Sequence, residues 1–207
     1  MRPGPHSHRI TLFFWPPFSR PGRLGQLAKL IFFISWFFGS SAIASETRFD
    51  GTVIFLRHAM APGSGDPKNF DLDDCQTQRN LDEAGRQQAR AIGRHIAAAK
   101  LNLAGIYSSE WCRCLETARL LDLGPVTPFE GLNSFYQNHA ARDATLFKLK
   151  SKLANLPHNG APVIMVTHYV TIRAVANIVV PSGGAVLYDL TTGYARELSL
   201  ASFSAQP

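Results

Sequence analysis

Two short runs, VIFL at residues 53–56 and VIMVT at residues 163–167, are apolar at every position but the final threonine. A strand with one wet face alternates apolar and polar side chains, whereas a strand apolar throughout is covered on both faces, as in parallel sheets sandwiched between helices. The segments between and after these runs carry helix periods. A helix is expected from Asn80, with Glu83 three residues on in a capping-box relation and Gly85, Ala89, Ile92 and Ile96 on one face, ending near Lys100. Residues 104–107 read as a short strand, and Ser108-Ser109 as the cap of a second helix with Trp111, Leu115 and Ala118 facing inward and Gly124-Pro125 closing the segment. Residues 145–153 and 170–179 read as further helices, and residues 185–190 and 195–200 as two strands joined across Thr192-Gly193. Strand and helix in alternation predict a three-layer α/β/α sandwich with a mostly parallel central sheet.

The formal charge of +6 would suit a nucleic-acid partner, but its distribution argues against one. The first 44 residues hold five of the 21 basic side chains and none of the 15 acidic ones, so the remainder is nearly neutral at +1. That basic leader runs through Arg23 and Lys29 into the apolar residues 30–38, followed by GSSAIAS with Ala42-Ile43-Ala44 as an A-x-A cleavage site. This layout predicts a signal peptide over residues 1–44, a mature domain over residues 45–207 and a periplasmic or secreted destination. The apolar run falls short of the ~20 residues that a membrane span needs, so no stable span is expected after cleavage.

Export bears on the three cysteines, Cys75, Cys112 and Cys114. At i and i+2 of a helix, Cys112 and Cys114 point to nearly opposite sides and do not pair with each other. Cys75 bonds one of them, or all three pack as small apolar groups; a zinc site would need a fourth ligand that the sequence does not supply.

In open parallel sheets, ligands bind beyond the carboxyl ends of the strands. His58 follows the first apolar strand with Arg57 beside it, and His168 directly follows the second. Arg113, in the first turn of the helix after IYSS, lies about 200° around the axis from Leu115, turned from the core toward the sheet edge. A cation at a helix start opposes the macrodipole, so it calls for an anionic partner. The dipeptide Arg94-His95 is an internal control, since it has no strand before it. Two guanidinium forks, two imidazoles and the backbone N–H groups of helix N-termini together suit a compact phosphate dianion.

The chain resembles the histidine phosphatase superfamily, which includes the phosphoglycerate mutase-like enzymes, in FLRHA, TQRNLDEAGRQQARAIG, YSSEWCRCLETA and VTHY, in the family's order over residues 53–170. The resemblance implies a phosphoglycerate mutase-like fold, with His58 as nucleophile and Arg57, Arg113 and a protonated His168 in the phosphate pocket. It implies no metal or other cofactor, a small phosphorylated substrate and hydrolysis through a phosphohistidine intermediate whose second ring nitrogen is held by a backbone carbonyl. Ala59 stands where the family signature has glycine. Relatives often place a leaving-group acid, a glutamate, where FEGLNSFYQN has Ser134; Glu130, Asp66 and Asp74 are the nearby carboxylates, and the sequence does not choose among them or none. A missing acid favours good leaving groups, such as phosphohistidine or phosphoramidates, or leaves a catalytically idle phosphate-binding module. The absence of a long lid insertion makes a mutase the lesser reading. Oligomeric state is not legible.

Overall fold

The computed structural model describes residues 49–200; the proposed signal peptide lies outside them. Six strands form one sheet: β1 (Thr52–Arg57), β2 (Gly105–Ser108), β3 (Val126–Pro128), β4 (Val163–Thr167), β5 (Ala185–Asp189) and β6 (Ala195–Leu198). Their spatial order is β3-β2-β4-β1-β5-β6. The four strands from β3 to β1 are mutually parallel, while β5 and β6 run antiparallel along the other edge.

Four helices cover the sheet: α1 (Glu83–Ala98), α2 (Cys112–Leu120), α3 (Arg142–Ala154) and α4 (Tyr169–Ala176). The fully apolar β1 divides by alternation. Ile54 and Leu56 pack with Ile92 and Ile96 of α1 and with Cys114 and Ala118 of α2. Val53 and Phe55 pack on the opposite face with Leu149 and Leu153 of α3 and Ile172 of α4. This is the three-layer sandwich expected from strands apolar on both faces.

Several boundaries differ from expectation. Helix α1 begins at Glu83 rather than Asn80, because Asp82 is the residue whose carboxylate accepts the Gly85 N–H at 2.7 Å. Ser108-Ser109 does not cap α2; Trp111 occupies the cap position without a side-chain bond, and both serine hydroxyls are engaged elsewhere. The buried stripe of α2 runs through Cys114 rather than Leu115, which is half-exposed. Strand β3 was not anticipated: three residues ending in a proline carry no periodic signal.

Cys75 and Cys112 form a disulfide, with Cα atoms 5.7 Å apart, and Cys114 is a free thiol in the core. The bridge fastens the long loop after β1 to the first residue of α2. Nearby, the Cys112 N–H donates to Gln78 Oε1 at 3.0 Å, and Gln78 Nε2 donates to the carbonyls of Asp71 and Leu72. Among the described residues no helix is long and apolar enough to cross a membrane.

The bridge closes a separation of 37 residues, so its loss should cost about 2–4 kcal/mol through the entropy of the unfolded chain. Denaturant unfolding of the Cys75→Ser/Cys112→Ser double variant should show that loss; an unchanged midpoint would mean that the loop is held without the bridge.

Candidate active site

The register of the sheet builds the site. Arg57 of β1 stands opposite Thr167 of β4, and Ser108 of β2 opposite Val166. The next residues along the three strands therefore emerge together at one edge: His58, His168 and Ser109. Backbone bonds continue the ladder past the strand ends, from His58 N–H to Thr167 O and from Ser109 N–H to Val166 O, both at 2.9 Å. The two imidazoles meet edge to face, with ring centroids 5.5 Å apart.

A cavity of about 190 Å³ opens at this edge, and Arg57, His58, Arg113 and His168 all line it. The structure thus brings together the four residues singled out in the sequence. It adds a fifth, Arg79, from the loop just before α1. Arg79 carried a signal related to that of Arg113, a cation close to a helix N-terminus, where the macrodipole offers it nothing. Its guanidinium donates to the carbonyls of Ala61 and Gly65, the latter at 3.0 Å, and so shapes the loop after His58. The control dipeptide Arg94-His95 lies on the exposed side of α1, away from the cavity.

His58 is 2% exposed, and its Nδ1 lies 2.7 Å from the Ala59 carbonyl oxygen. A carbonyl only accepts, so Nδ1 carries the proton and Nε2 keeps its lone pair. Burial, followed by the charge of Arg113, lowers the His58 pKa to about 3. The neutral, Nδ1-protonated ring expected from the resemblance is therefore the resting form. Ala59 is fully buried with Ala61, Leu81 and Ala89, so its methyl group sits in an apolar niche; its N–H donates to Thr117 Oγ1 at 3.0 Å. Gly85 on α1 faces the Met60 carbonyl so closely that a Cβ would collide with it, which lets the helix start pack against the loop after His58.

Arg113 is 3% exposed and pairs bidentately with Asp66 at 2.7 and 3.1 Å. Asp66 also accepts the Arg79 backbone N–H and the Trp111 indole N–H, at 3.1 and 3.2 Å. Burial would raise the Asp66 pKa, but hydrogen bonding to Arg113 and the charge of that guanidinium hold it below the ordinary carboxylate range. Asp66 is accordingly an ionised anchor and not a proton donor. The other two acid candidates are also displaced: Glu130 pairs with Lys148 on the surface, and Asp74 caps the short helical turn Cys75–Thr77 by accepting from Gln76 N–H. Ser134 does line the cavity, and among the described residues no carboxylate does. Arg57 donates from Nη1 to Val180 O at 2.9 Å and lies over the Tyr169 ring; the Nε atoms of Arg57 and Arg113 are buried without a hydrogen-bond partner.

His168 departs from expectation. It is buried, and burial together with the charge of Arg113 pushes its pKa well below the ordinary imidazole value, so the ring is neutral rather than protonated.

Residues 53–138 match the model of the histidine phosphatase superfamily (branch 1). That segment of the chain is similar to the histidine phosphatase superfamily. The matched segment carries Arg57, His58, Arg79 and Arg113, and His168 follows it on the same sheet edge. Among solved structures the fold is shared with SixA of Agrobacterium tumefaciens, at 22% identity over 73% of this chain and 97% of that one, with a TM-score of 0.50. It is shared equally with phosphoglycerate mutase from Thermus thermophilus, at 19% identity over 72% and 98%, with a TM-score of 0.51. No curated protein matches the chain.

Two outcomes follow from this geometry. Asp66→Ala leaves the buried Arg113 cation unpaired and should cost about 3–5 kcal/mol in unfolding measurements; a loss no larger than that of a surface substitution would mean that the pair is not buried in solution. His58 is depressed from 6.5 to about 3, so in that window the unfolded chain binds a proton that the folded chain does not. Stability should therefore fall as pH drops from 6.5 toward 3, and less steeply in His58→Asn; equal slopes would contradict the assignment.

Proposed function

We propose that the chain is an exported phosphomonoesterase that hydrolyses a small organic phosphate through a phosphohistidine intermediate on His58. The observation that carries this reading is a neutral imidazole with a free Nε2 in a cavity lined, among the described residues, by three arginines and no carboxylate. A phosphate-binding wall alone could be built from arginines and helix N-termini; a buried, tautomer-fixed imidazole adds a nucleophile.

The phosphoryl group enters among Arg57, Arg79 and Arg113, whose donors neutralise its equatorial oxygens. His58 Nε2 attacks phosphorus in line, the bond from phosphorus to the ester oxygen breaks, and the leaving oxygen takes its proton from solvent. The phosphorylated ring is cationic, and its Nδ1–H stays on the Ala59 carbonyl, which stabilises that charge. Water then attacks phosphorus on the same line, releasing phosphate and restoring the neutral ring.

The location rests on the leader sequence and is supported by the Cys75–Cys112 disulfide, a bond that persists in oxidising compartments. Export directs the substrate class toward phosphorylated envelope sugars, lipopolysaccharide cores or scavenged organic phosphates. A second reading, hydrolysis of phosphohistidine or other phosphoramidates, is favoured by the cavity's lack of a carboxylate, because a P–N bond leaves without an acid of that kind.

The purified chain should hydrolyse p-nitrophenyl phosphate, and Arg113→Ala should lower the rate by about 10²–10³. Turnover that survives in His58→Ala would overturn the phosphohistidine route, and no turnover in the wild type would leave an anion-binding module. Across a series of aryl and alkyl phosphates, the rate should fall steeply as the leaving-group pKa rises. A flat dependence would show that an acid is present after all.

A further inference from the structure

The polar groups behind His168 determine which of its nitrogens carries the proton. The Glu110 backbone N–H donates to Asn133 Oδ1 at 2.9 Å, while Asn133 Nδ2 donates to Glu110 Oε2 at 2.6 Å, so the amide has one orientation. Ser109 Oγ lies 3.1 Å from the same Oδ1, which only accepts, and the single hydroxyl proton is spent there. Ser109 Oγ must then accept from His168 Nε2, 2.9 Å away. Cys114 Sγ, 3.4 Å from Nε2, sits on the same side of the ring, its thiol pushed by burial up to about 12 and so uncharged. On the cavity side, Arg113 Nη2 lies 3.4 Å from Nδ1, and a guanidinium only donates. Both sides agree: Nε2 is protonated, and Nδ1 is a bare acceptor.

A bare nitrogen repels a phosphoryl oxygen unless a proton lies between them. Building on the phosphate-site reading above, we propose that Ser109, Asn133 and Glu110 are positioning residues that hold His168 with its Nδ1 lone pair at the cavity, so that an oxyanion binds together with one proton, which comes to rest on Nδ1. The proton arrives on the ligand, as the P–OH of a monoanion, or from solvent when the ligand has none. No other bond is made or broken, and the imidazolium then donates to the anion. The charges facing His168 explain why it is bare beforehand. Arg113 on α2, Arg57 and His58 at the end of β1 and Arg79 ahead of α1 all oppose a proton on the ring, and the carboxylate of Asp66 is taken up by Arg113. With the ring protonated, Nδ1–H and Arg113 Nη2–H point at one another, and an anion bridging them relieves the clash.

Sulfate, fully ionised near neutral pH, separates this inference from the phosphate-site reading itself. Titration calorimetry of the full chain at pH 7.5, in buffers of different ionisation enthalpy, should show uptake of about one proton per sulfate bound, with affinity falling about tenfold per pH unit. The uptake should vanish in His168→Gln and persist in His58→Asn. Long-range ¹⁵N spectra of the wild-type imidazoles need no variant: His168 should be in the Nε2–H tautomer alone and doubly protonated with sulfate, while Ser109→Ala should mix its tautomers. Sulfate bound without proton uptake, uptake that follows His58, or an Nδ1–H tautomer in the free protein would overturn the inference and leave the phosphate site standing. Failure of both sulfate and inorganic phosphate to bind would remove the site and the inference with it.

Discussion

The parallel register of β1 against β4 is the constraint on which the site depends. Arg57 opposite Thr167 makes the next residue of each strand a histidine at the same height on the sheet edge. A slip by one residue would turn Ile54 and Leu56 onto the face that Val53 and Phe55 occupy, exchanging two different packing surfaces. The apolar cores on both faces thus hold the site in place, although none of their described side chains lines the cavity. Placing β2 next to β4 carries the same register to Ser108, which delivers Ser109 to His168 and starts α2 where Arg113 can reach the cavity.

Electrostatically the site is unbalanced by construction. Among the described residues three guanidinium groups line the cavity, and the buried carboxylate of Asp66 pairs with one of them, that of Arg113. Burial of the arginines is tolerable because Asp66, several carbonyls and the Tyr169 ring share their donors, yet an excess of positive charge remains facing the histidines. Burial and that excess together keep both imidazoles neutral, which is the state the proposed attack by His58 requires, and a dianion in the pocket would offset the excess. The disulfide and the Asp66 clasp act on one loop from opposite ends, so the cation cluster is held by covalent and ionic ties rather than by apolar packing alone.

What was legible in the sequence followed periodicity and position. The strands at residues 53–56 and 163–167, the buried face of α1 and the α/β/α layering came from apolar patterns that burial enforces, and the site histidines from their place just beyond strand ends. Features set by the path of a loop were not legible. Asp66 could be read as a proton donor because nothing local shows that Arg113, 47 positions away, folds onto it. Arg79 sat inside a motif without standing out, since its carbonyl partners come from the loop after His58. Ser109 looked like a helix cap; only the tertiary arrangement gives its hydroxyl to Asn133 and His168. That His168 is neutral in the unliganded site was not legible for the same reason, because the charges that oppose a proton on it arrive from three separate segments.

The central claim is that His58 itself accepts the phosphoryl group. Rapid mixing with p-nitrophenyl phosphate, quenching in base where phosphohistidine survives, and peptide mass spectrometry test it most directly. A phosphate adduct on His58 within the first turnover, absent in His58→Asn, is the expected result. Turnover with no adduct on any histidine, or an adduct on His168 with His58 unmodified, would contradict it.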